Sequence, residues 1–242
     1  MPASAPPGPR DPGAFVSAPT GSLHAMLRAT TLHLFRHGES EANAGERTLA
    51  PDSAPLTRKG QRQATAIAAA IDRAPSLVVV SSYLRARQTA APTCARFPDA
   101  PLEVWPVEEF HYLGPSAYRG TTKRDRRPSV AEYWSACDPR RECEPGAESF
   151  AAFVARVLAV RDRLERSDAA RIAVFSHKKF LHALLWSWSE GRPEPDAAAM
   201  ARFRAYDRDE PFPNGAGVDV DLSGGTARAG RLRVPDLPAD VT

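Results

Sequence analysis

Two histidines stand where this chain can do chemistry. His37 lies in Arg36-His-Gly-Glu-Ser40, directly after the alternating apolar run 31–35, and His177 closes the run Ile172-Ala-Val-Phe-Ser-His177. Each sits where a short buried strand gives way to a turn, and parallel strands can bring two such ends together. An imidazole has an ordinary pKa of about 6.5, so much of it is neutral near pH 7 with a ring nitrogen free to attack. His37 beside Arg36 is thus a candidate nucleophile with its own anion clamp.

Arginines define the anion. Arg36 precedes His37, while Arg85 and Arg87 open the helix expected after a second strand. Planar guanidinium groups donate paired hydrogen bonds that match a phosphoryl dianion, and helix amino termini add backbone donors. Surrounding positive charge lowers the pKa of His37 and keeps its lone pair available. His177 can then donate to the phosphoryl oxygens. The same positive charge repels divalent cations, so the reading calls for no metal and no cofactor. A departing oxygen needs a proton, and Glu108 and Glu109, in Val107-Glu-Glu-Phe-His-Tyr-Leu113, are the nearby carboxylic acids.

The elements that position these groups follow from periodicity. Residues 30–35 form the first strand, 44–56 a loop, and Thr57 caps a helix over 58–73 with Ala64, Ile67, Ala68 and Ile71 on one face. Leu77–Val80 is a second strand, a helix runs from Leu84 to Phe97, and 102–105 is a third strand. Residues 106–146 form a long polar segment punctuated by Pro and Gly, too long for an idle connection and expected to roof a pocket. A helix opens at 148–149 with Phe150, Phe153, Val154, Val157, Leu158 and Leu164 in register. A strand over 171–175, a helix from Phe180 to Trp188 and a hairpin from Val218 to Val234 complete the pattern. No element is assigned to 190–216. Alternating strands and helices predict an α/β domain, three layers around a mostly parallel sheet, with its site beyond the carboxyl ends of the strands. The domain is expected over 29–234, with 1–28 a disordered Pro/Ala-rich extension and 235–242 a frayed tail. Met26, just ahead of the first strand, is an alternative start.

Composition narrows the classes. The 242 residues suit one sizeable domain, and a formal net charge of +3 with 25% charged residues gives no concentrated basic face for nucleic acid. Three cysteines without a Cys-x-x-Cys pair argue against a disulfide framework or zinc knuckle and for a reducing compartment, taken as the cytoplasm. No apolar stretch approaches the roughly 18 residues of a membrane span. The expected partner is a small phosphoester. Oligomeric state is not legible.

Here the motifs carry a family resemblance. Leu34-Phe-Arg-His-Gly-Glu-Ser-Glu-Ala-Asn43 resembles the signature of the histidine phosphatase superfamily, also called phosphoglycerate mutase-like. The blocks Asp52 to Ala64, Ser81 to Ala90, Val107 to Phe110, Gly146 to Ser149 and Phe175 to His177 are similar to its later motifs, in the family's order over about 30–222. The resemblance implies a mixed central sheet and a transient phosphohistidine on His37. It implies that Arg36, Arg85 and His177 hold the phosphoryl group, that Asn43 lines the pocket, and that Glu109 rather than Glu108 is the acid. Departures are Lys178, followed by Lys179, where the family usually has glycine, and Tyr83 where an aliphatic residue is usual. Lys178 either narrows the pocket or adds an anion contact.

Several residues keep two readings. Ser40 and Asn43 either brace the loop or touch phosphate; Ser81 is read as a helix cap; His33, His182 and Arg87 are read as structural or surface groups. His111 lies near the acid. The basic run Arg119-Gly-Thr-Thr-Lys-Arg-Asp-Arg-Arg127 is either a solvated face or a contact to a polyanionic substrate. The leading expectation is a metal-independent phosphomonoesterase. The alternatives are mutase-type transfer to a second hydroxyl and a non-catalytic phospho-ligand module of the same fold.

Overall fold

The computed structural model describes residues 29–223 and 226–237. The expected extension over 1–28, the Gly224-Gly225 turn and residues 238–242 of the expected tail lie outside them.

Among the described residues six strands form one sheet: β1 (Thr30–Arg36), β2 (Leu77–Val80), β3 (Leu102–Val104), β4 (Arg171–Ser176), β5 (Gly217–Ser223) and β6 (Thr226–Ala229). Their order is β3-β2-β4-β1-β5-β6. The first four are mutually parallel, and β5 and β6 run antiparallel at one edge. Among the described residues the helices are α1 (Glu41–Ala44), α2 (Arg58–Ala70), α3 (Leu84–Arg96), α4 (Arg127–Ala136), α5 (Phe150–Glu165), α6 (Lys178–Ser189) and α7 (Ala197–Asp209).

Strand alternation divides the core into two layers. Leu32 and Leu34 of β1, Val79 of β2 and Ile172 and Val174 of β4 point to one face, where they pack with Phe153 and Val157 of α5, Leu181 and Leu184 of α6 and Phe203 of α7. Phe35, Val78, Val80, Ala173 and Phe175 point to the other, against Ile67 of α2 and Ala86 and Ala90 of α3. Burial on both faces explains why β2 and β4 read as unbroken apolar runs rather than alternating ones. The expected three-layer architecture is the one observed.

Cap chemistry sets the helix starts. The Thr57 hydroxyl accepts from Gly60 N at 3.1 Å, Ser149 from Ala152 N at 3.2 Å and Asp196 from Ala199 N at 2.6 Å. The helix expected over 58–73 stops at Ala70, because Ile71 takes extended backbone (φ −81°, ψ 104°). Ser81 does not occupy the N-cap of α3; Tyr83 does, and Ser81 Oγ accepts its backbone N–H at 3.2 Å. The stretch 106–146 is not one irregular loop. It holds a 3-10 turn at Ser116–Tyr118 and α4, whose Tyr133 and Trp134 are buried against Phe110 and Tyr112. The span 190–216 holds α7.

Phe153 lies fully buried in this larger core, stacked on Phe110 at 4.3 Å between ring centroids. Phe153→Ala should lower unfolding free energy by about 3–5 kcal/mol, the range for deleting a buried aromatic ring. Urea denaturation followed by circular dichroism measures it, and a loss below about 1 kcal/mol would contradict the packing described.

Candidate active site

The register of β1 on β4 pairs Arg36 with Ser176, so the next residues, His37 and His177, leave the sheet side by side. Their ring centroids are 5.0 Å apart with the planes at 59°. The end of β2 contributes Ser81, and the chain beyond β3 contributes Glu109. Four parallel strands therefore deliver their following residues to one place.

The protonation state of His37 follows from its two partners. Nδ1 lies 2.6 Å from the carbonyl oxygen of Gly38, which can only accept, so Nδ1 carries the hydrogen. Arg85 Nε, which can only donate, lies 3.2 Å from Nε2, so Nε2 carries the lone pair. Burial, then Arg85 and Arg36, drive the pKa well below 6.5 and keep the ring neutral. His177 is fully buried, and burial, Arg85, His37 and Arg36 lower its pKa in the same way. Its Nε2 lies 2.9 Å from Ser81 Oγ, while Nδ1 has no hydrogen-bond partner among the described residues. Arg36 Nε is in the same position, although Nη1 donates to the Phe212 carbonyl at 2.5 Å.

A cavity of about 560 Å³ opens above these groups. Arg36, Asn43, Arg85, Glu109, His111 and Lys178 line it. The two imidazoles are not among the lining residues; Arg85, which is, donates to Nε2 of His37. Arg85 is itself held by Pro51 O at 2.7 Å and over the Tyr83 ring at 4.8 Å. A more capacious cavity of about 1050 Å³, lined by His33, Arg73, Arg171 and Arg233, lies away from these groups and holds no histidine pair.

The two glutamates part company. Glu109 Oε1 accepts from Lys179 N at 3.0 Å and Phe110 N at 3.2 Å. Glu108 turns away to Ser82 Oγ at 2.9 Å. Arg156 of α5 fixes this turn, donating to the carbonyls of Pro106 and Glu108 at 3.0 and 3.1 Å while pairing with Glu148. Asn43 Oδ1 accepts from Ser40 Oγ at 3.0 Å and Asn214 Nδ2 at 3.1 Å, so both residues brace the loop, and of the two only Asn43 also lines the cavity. Lys178 Nζ donates to the Asp207 carbonyl at 2.8 Å at the cavity edge. Arg87 is exposed, His33 bonds Asp219, and His182 is buried against Asp207.

Other residues position the loop that carries His37. Thr89 Oγ1 accepts from Gly38 N at 3.0 Å, and Asn214 Nδ2 donates to His37 O at 3.1 Å. Asn214 lies 177 residues from His37, a separation that only the β1–β5 pairing closes. The turn residues Pro211-Phe-Pro-Asn-Gly215 ahead of an apolar strand were the available cue. Tyr83 packs edge-on to His177 at 5.0 Å, which makes the unusual aromatic at this position part of the imidazole wall. Among the described residues no group of three or more His, Cys, Asp or Glu could hold a metal ion.

Residues 32–204 match the model of the histidine phosphatase superfamily, branch 1. The chain belongs to the histidine phosphatase superfamily. Within it, the chain is 33% identical over 158 residues to an adenosylcobalamin/alpha-ribazole phosphatase of Salmonella typhimurium, covering 64% of this chain and 77% of that protein. The crystal structure of an alpha-ribazole phosphatase from Shigella flexneri superposes with a TM-score of 0.64 at 27% identity, covering 85% of this chain and 96% of that one. A mycobacterial glucosyl-3-phosphoglycerate phosphatase shares the fold, with a TM-score of 0.61 at 21% identity over 87% of this chain and 100% of that one. This histidine phosphatase is therefore an enzyme of the phosphatase type, and the pocket described is its candidate centre.

Two expectations follow. A Cβ placed on Gly60 would lie 2.0 Å from Glu39 O, in the loop that carries His37. Gly60→Ala should destabilise the fold by about 1–3 kcal/mol and lower activity more than the unfolded fraction explains, checked by denaturation and turnover on the same samples. The pH dependence has a definite sign. Both imidazoles have folded pKa values below the unfolded value, so as pH falls the unfolded chain protonates first. The stability they carry is complete above about pH 6.5 and drains away below it, so urea midpoints should fall between about pH 7 and pH 5, less so in His177→Asn.

Proposed function

We propose that this enzyme hydrolyses a small phosphomonoester through a phosphohistidine on Nε2 of His37. The observation that carries the reading is the tautomer: Gly38 O and Arg85 Nε leave Nε2 as a lone-pair nitrogen in a neutral ring. The roles of the surrounding residues follow from their unmatched donors. An entering phosphoryl group offers charged oxygens, to which a guanidinium binds more strongly than to a neutral imidazole. Arg85 then exchanges His37 for the phosphoryl oxygens and uncovers Nε2. Arg36 Nε and His177 Nδ1 donate to the same group, provided Ser81 gives its hydroxyl hydrogen to His177 Nε2. Ser81 Oγ, which also accepts the Tyr83 amide, is arranged for that role.

In the first step the N–P bond forms and the ester P–O bond breaks. A protonated Glu109 hands its proton to the departing oxygen through Oε2, since Oε1 is occupied by two backbone amides. In the second step water attacks phosphorus, the Glu109 carboxylate takes a water proton, and His37 leaves neutral. Positioning and electrostatic stabilisation supply most of the rate, as is general in phosphoryl transfer. The relatives' names make alpha-ribazole phosphate one compound for the assay panel.

The decisive experiment is labelling. A phosphorylated substrate should leave an acid-labile phosphoryl label on the wild type and none on His37→Ala; equal labelling of the two would overturn the proposal. Inorganic phosphate release should be unaffected by a chelator, and should exceed any formation of a phosphate isomer. Glu109→Gln should lower kcat on an alkyl phosphate about 10²–10⁴-fold. On p-nitrophenyl phosphate, whose leaving group needs no proton, the loss should be far smaller.

A further inference from the structure

Two polar residues on the cavity wall are not among the phosphoryl donors. Tyr83 and His111 both line the cavity and lie side by side, with ring centroids 6.0 Å apart. Tyr83 stands where the family usually has an aliphatic residue, and His111 lies two residues beyond the proposed acid, Glu109. Together they touch both ends of the reaction. The guanidinium of Arg85 lies over the Tyr83 ring at 4.8 Å, and that ring meets His177 edge-on at 5.0 Å. On the other side, the carbonyl oxygen of Glu109 lies 2.8 Å from His111 Nδ1.

That carbonyl fixes the tautomer of His111. It can only accept, so Nδ1 carries the hydrogen and, in the neutral ring, Nε2 carries the lone pair. Tyr83 Oη lies 3.1 Å from the same Nδ1, so it shares that hydrogen as an acceptor and keeps its own. The remaining approach, Tyr83 Oη to His111 Nε2, is 3.5 Å, too long for a strong hydrogen bond. Among the described residues neither atom has a further hydrogen-bond partner. Burial raises the pKa of the Tyr83 hydroxyl against the opposing pull of Arg85, so it stays protonated. A donor and an acceptor thus stand next to each other on the wall, each incompletely satisfied. One hydroxyl group, which both accepts and donates, completes the two. A carboxylate has no hydrogen to give Nε2, and a methylene satisfies neither atom.

We propose that Tyr83 and His111 form a hydroxyl-binding subsite, in which a hydroxyl on the leaving portion of the substrate accepts from Tyr83 Oη and donates to His111 Nε2. The inference rests on the phosphatase reading above and narrows its substrate to phosphomonoesters of polyhydroxy alcohols, sugars among them. Because His111 is bonded to Glu109, the hydroxyl it receives lies close to the ester oxygen that Glu109 protonates. The subsite also gives Tyr83 a function that an aliphatic side chain would not supply.

Three phosphates of one carbon skeleton test it at about pH 8, where an imidazole is neutral: propyl phosphate, 2-hydroxypropyl phosphate and 3-hydroxypropyl phosphate. The wild type should prefer one hydroxylated compound over propyl phosphate by about fivefold to fiftyfold in kcat/KM, because the analogue without the hydroxyl leaves two polar atoms unpaired. Which one wins fixes the distance of the hydroxyl from the ester oxygen. Tyr83→Phe keeps the ring and removes only the donor, while His111→Ala removes the acceptor. In each variant the ratio to propyl phosphate should fall toward one. A wild-type ratio near one, or a preference that survives in either variant, overturns the subsite. Absence of turnover on all three compounds would count against the phosphatase reading instead. Calorimetric binding of the same compounds to His37→Ala still reads the subsite in that case, with tighter binding of a hydroxylated compound supporting it and equal binding overturning it.

Discussion

One constraint underlies the site: two arginines, two imidazoles and a single carboxylate are held in a space that excludes most water. Arg85 Nε and His37 Nε2 bond to each other there, and neither atom has another hydrogen-bond partner among the described residues. A guanidinium donating to a neutral imidazole is a weak use of a buried charge, and burial already lowers the affinity of Arg36 and Arg85 for their protons. Glu109 offsets part of this through space. The balance remains positive, which both keeps the imidazoles neutral and makes a dianion the natural counter-charge. In the proposed reaction, nucleophile activation and substrate recognition are thus one electrostatic fact.

The fold supplies that concentration of charge at little conformational cost. Hydrogen bonding between β1 and β4 fixes the separation of His37 and His177, and packing on both faces of the sheet leaves neither strand free to slip. Gly38 and Gly60 then let the first turn of α2 press against the His37 loop, since a side chain on either would meet backbone within 2.5 Å. His177 is the N-cap of α6, and so its ring is set by the helix start as well as by the strand end. Rigid elements, not long loops, position the reacting groups.

How much of this could be read from residues alone depended on distance in the chain. The strands, the cap at Thr57 and the pairing of the two histidines were legible because each is a local pattern followed by one topological rule. The α4 helix was not, since it buries only Tyr133 and Trp134 and starts with cations that disfavour a helix amino terminus. The α7 helix has a weaker signal, Asp196 ahead of an alanine-rich stretch with Met200 and Phe203 one turn apart. The residues around Asn214 mark a turn but not its contact with the His37 loop, and the contact of Arg156 with the Glu109 turn has no local sign, because both contacts exist only once separate elements are packed.

The departures from the usual family pattern make physical sense together. A lysine at 178 places a cation at the start of α6, where the dipole opposes it, and Lys179 adds a second. The chain answers with Asp207 on α7, whose carbonyl accepts from Lys178 and whose carboxylate faces Lys179. Burial pulls the Lys179 proton affinity down, but Glu109, Tyr112 and Asp207 outweigh it and hold the ammonium above its ordinary range. Glu109 thus interacts with Arg36 and Arg85 on one hand and with the Lys179 ammonium on the other, while its Oε1 is pinned by the α6 backbone. The Lys178-Lys179 segment therefore touches the proposed acid as well as the cavity lining, and in the proposed reaction a change there that altered which substrate is accepted would also alter how the leaving group is protonated.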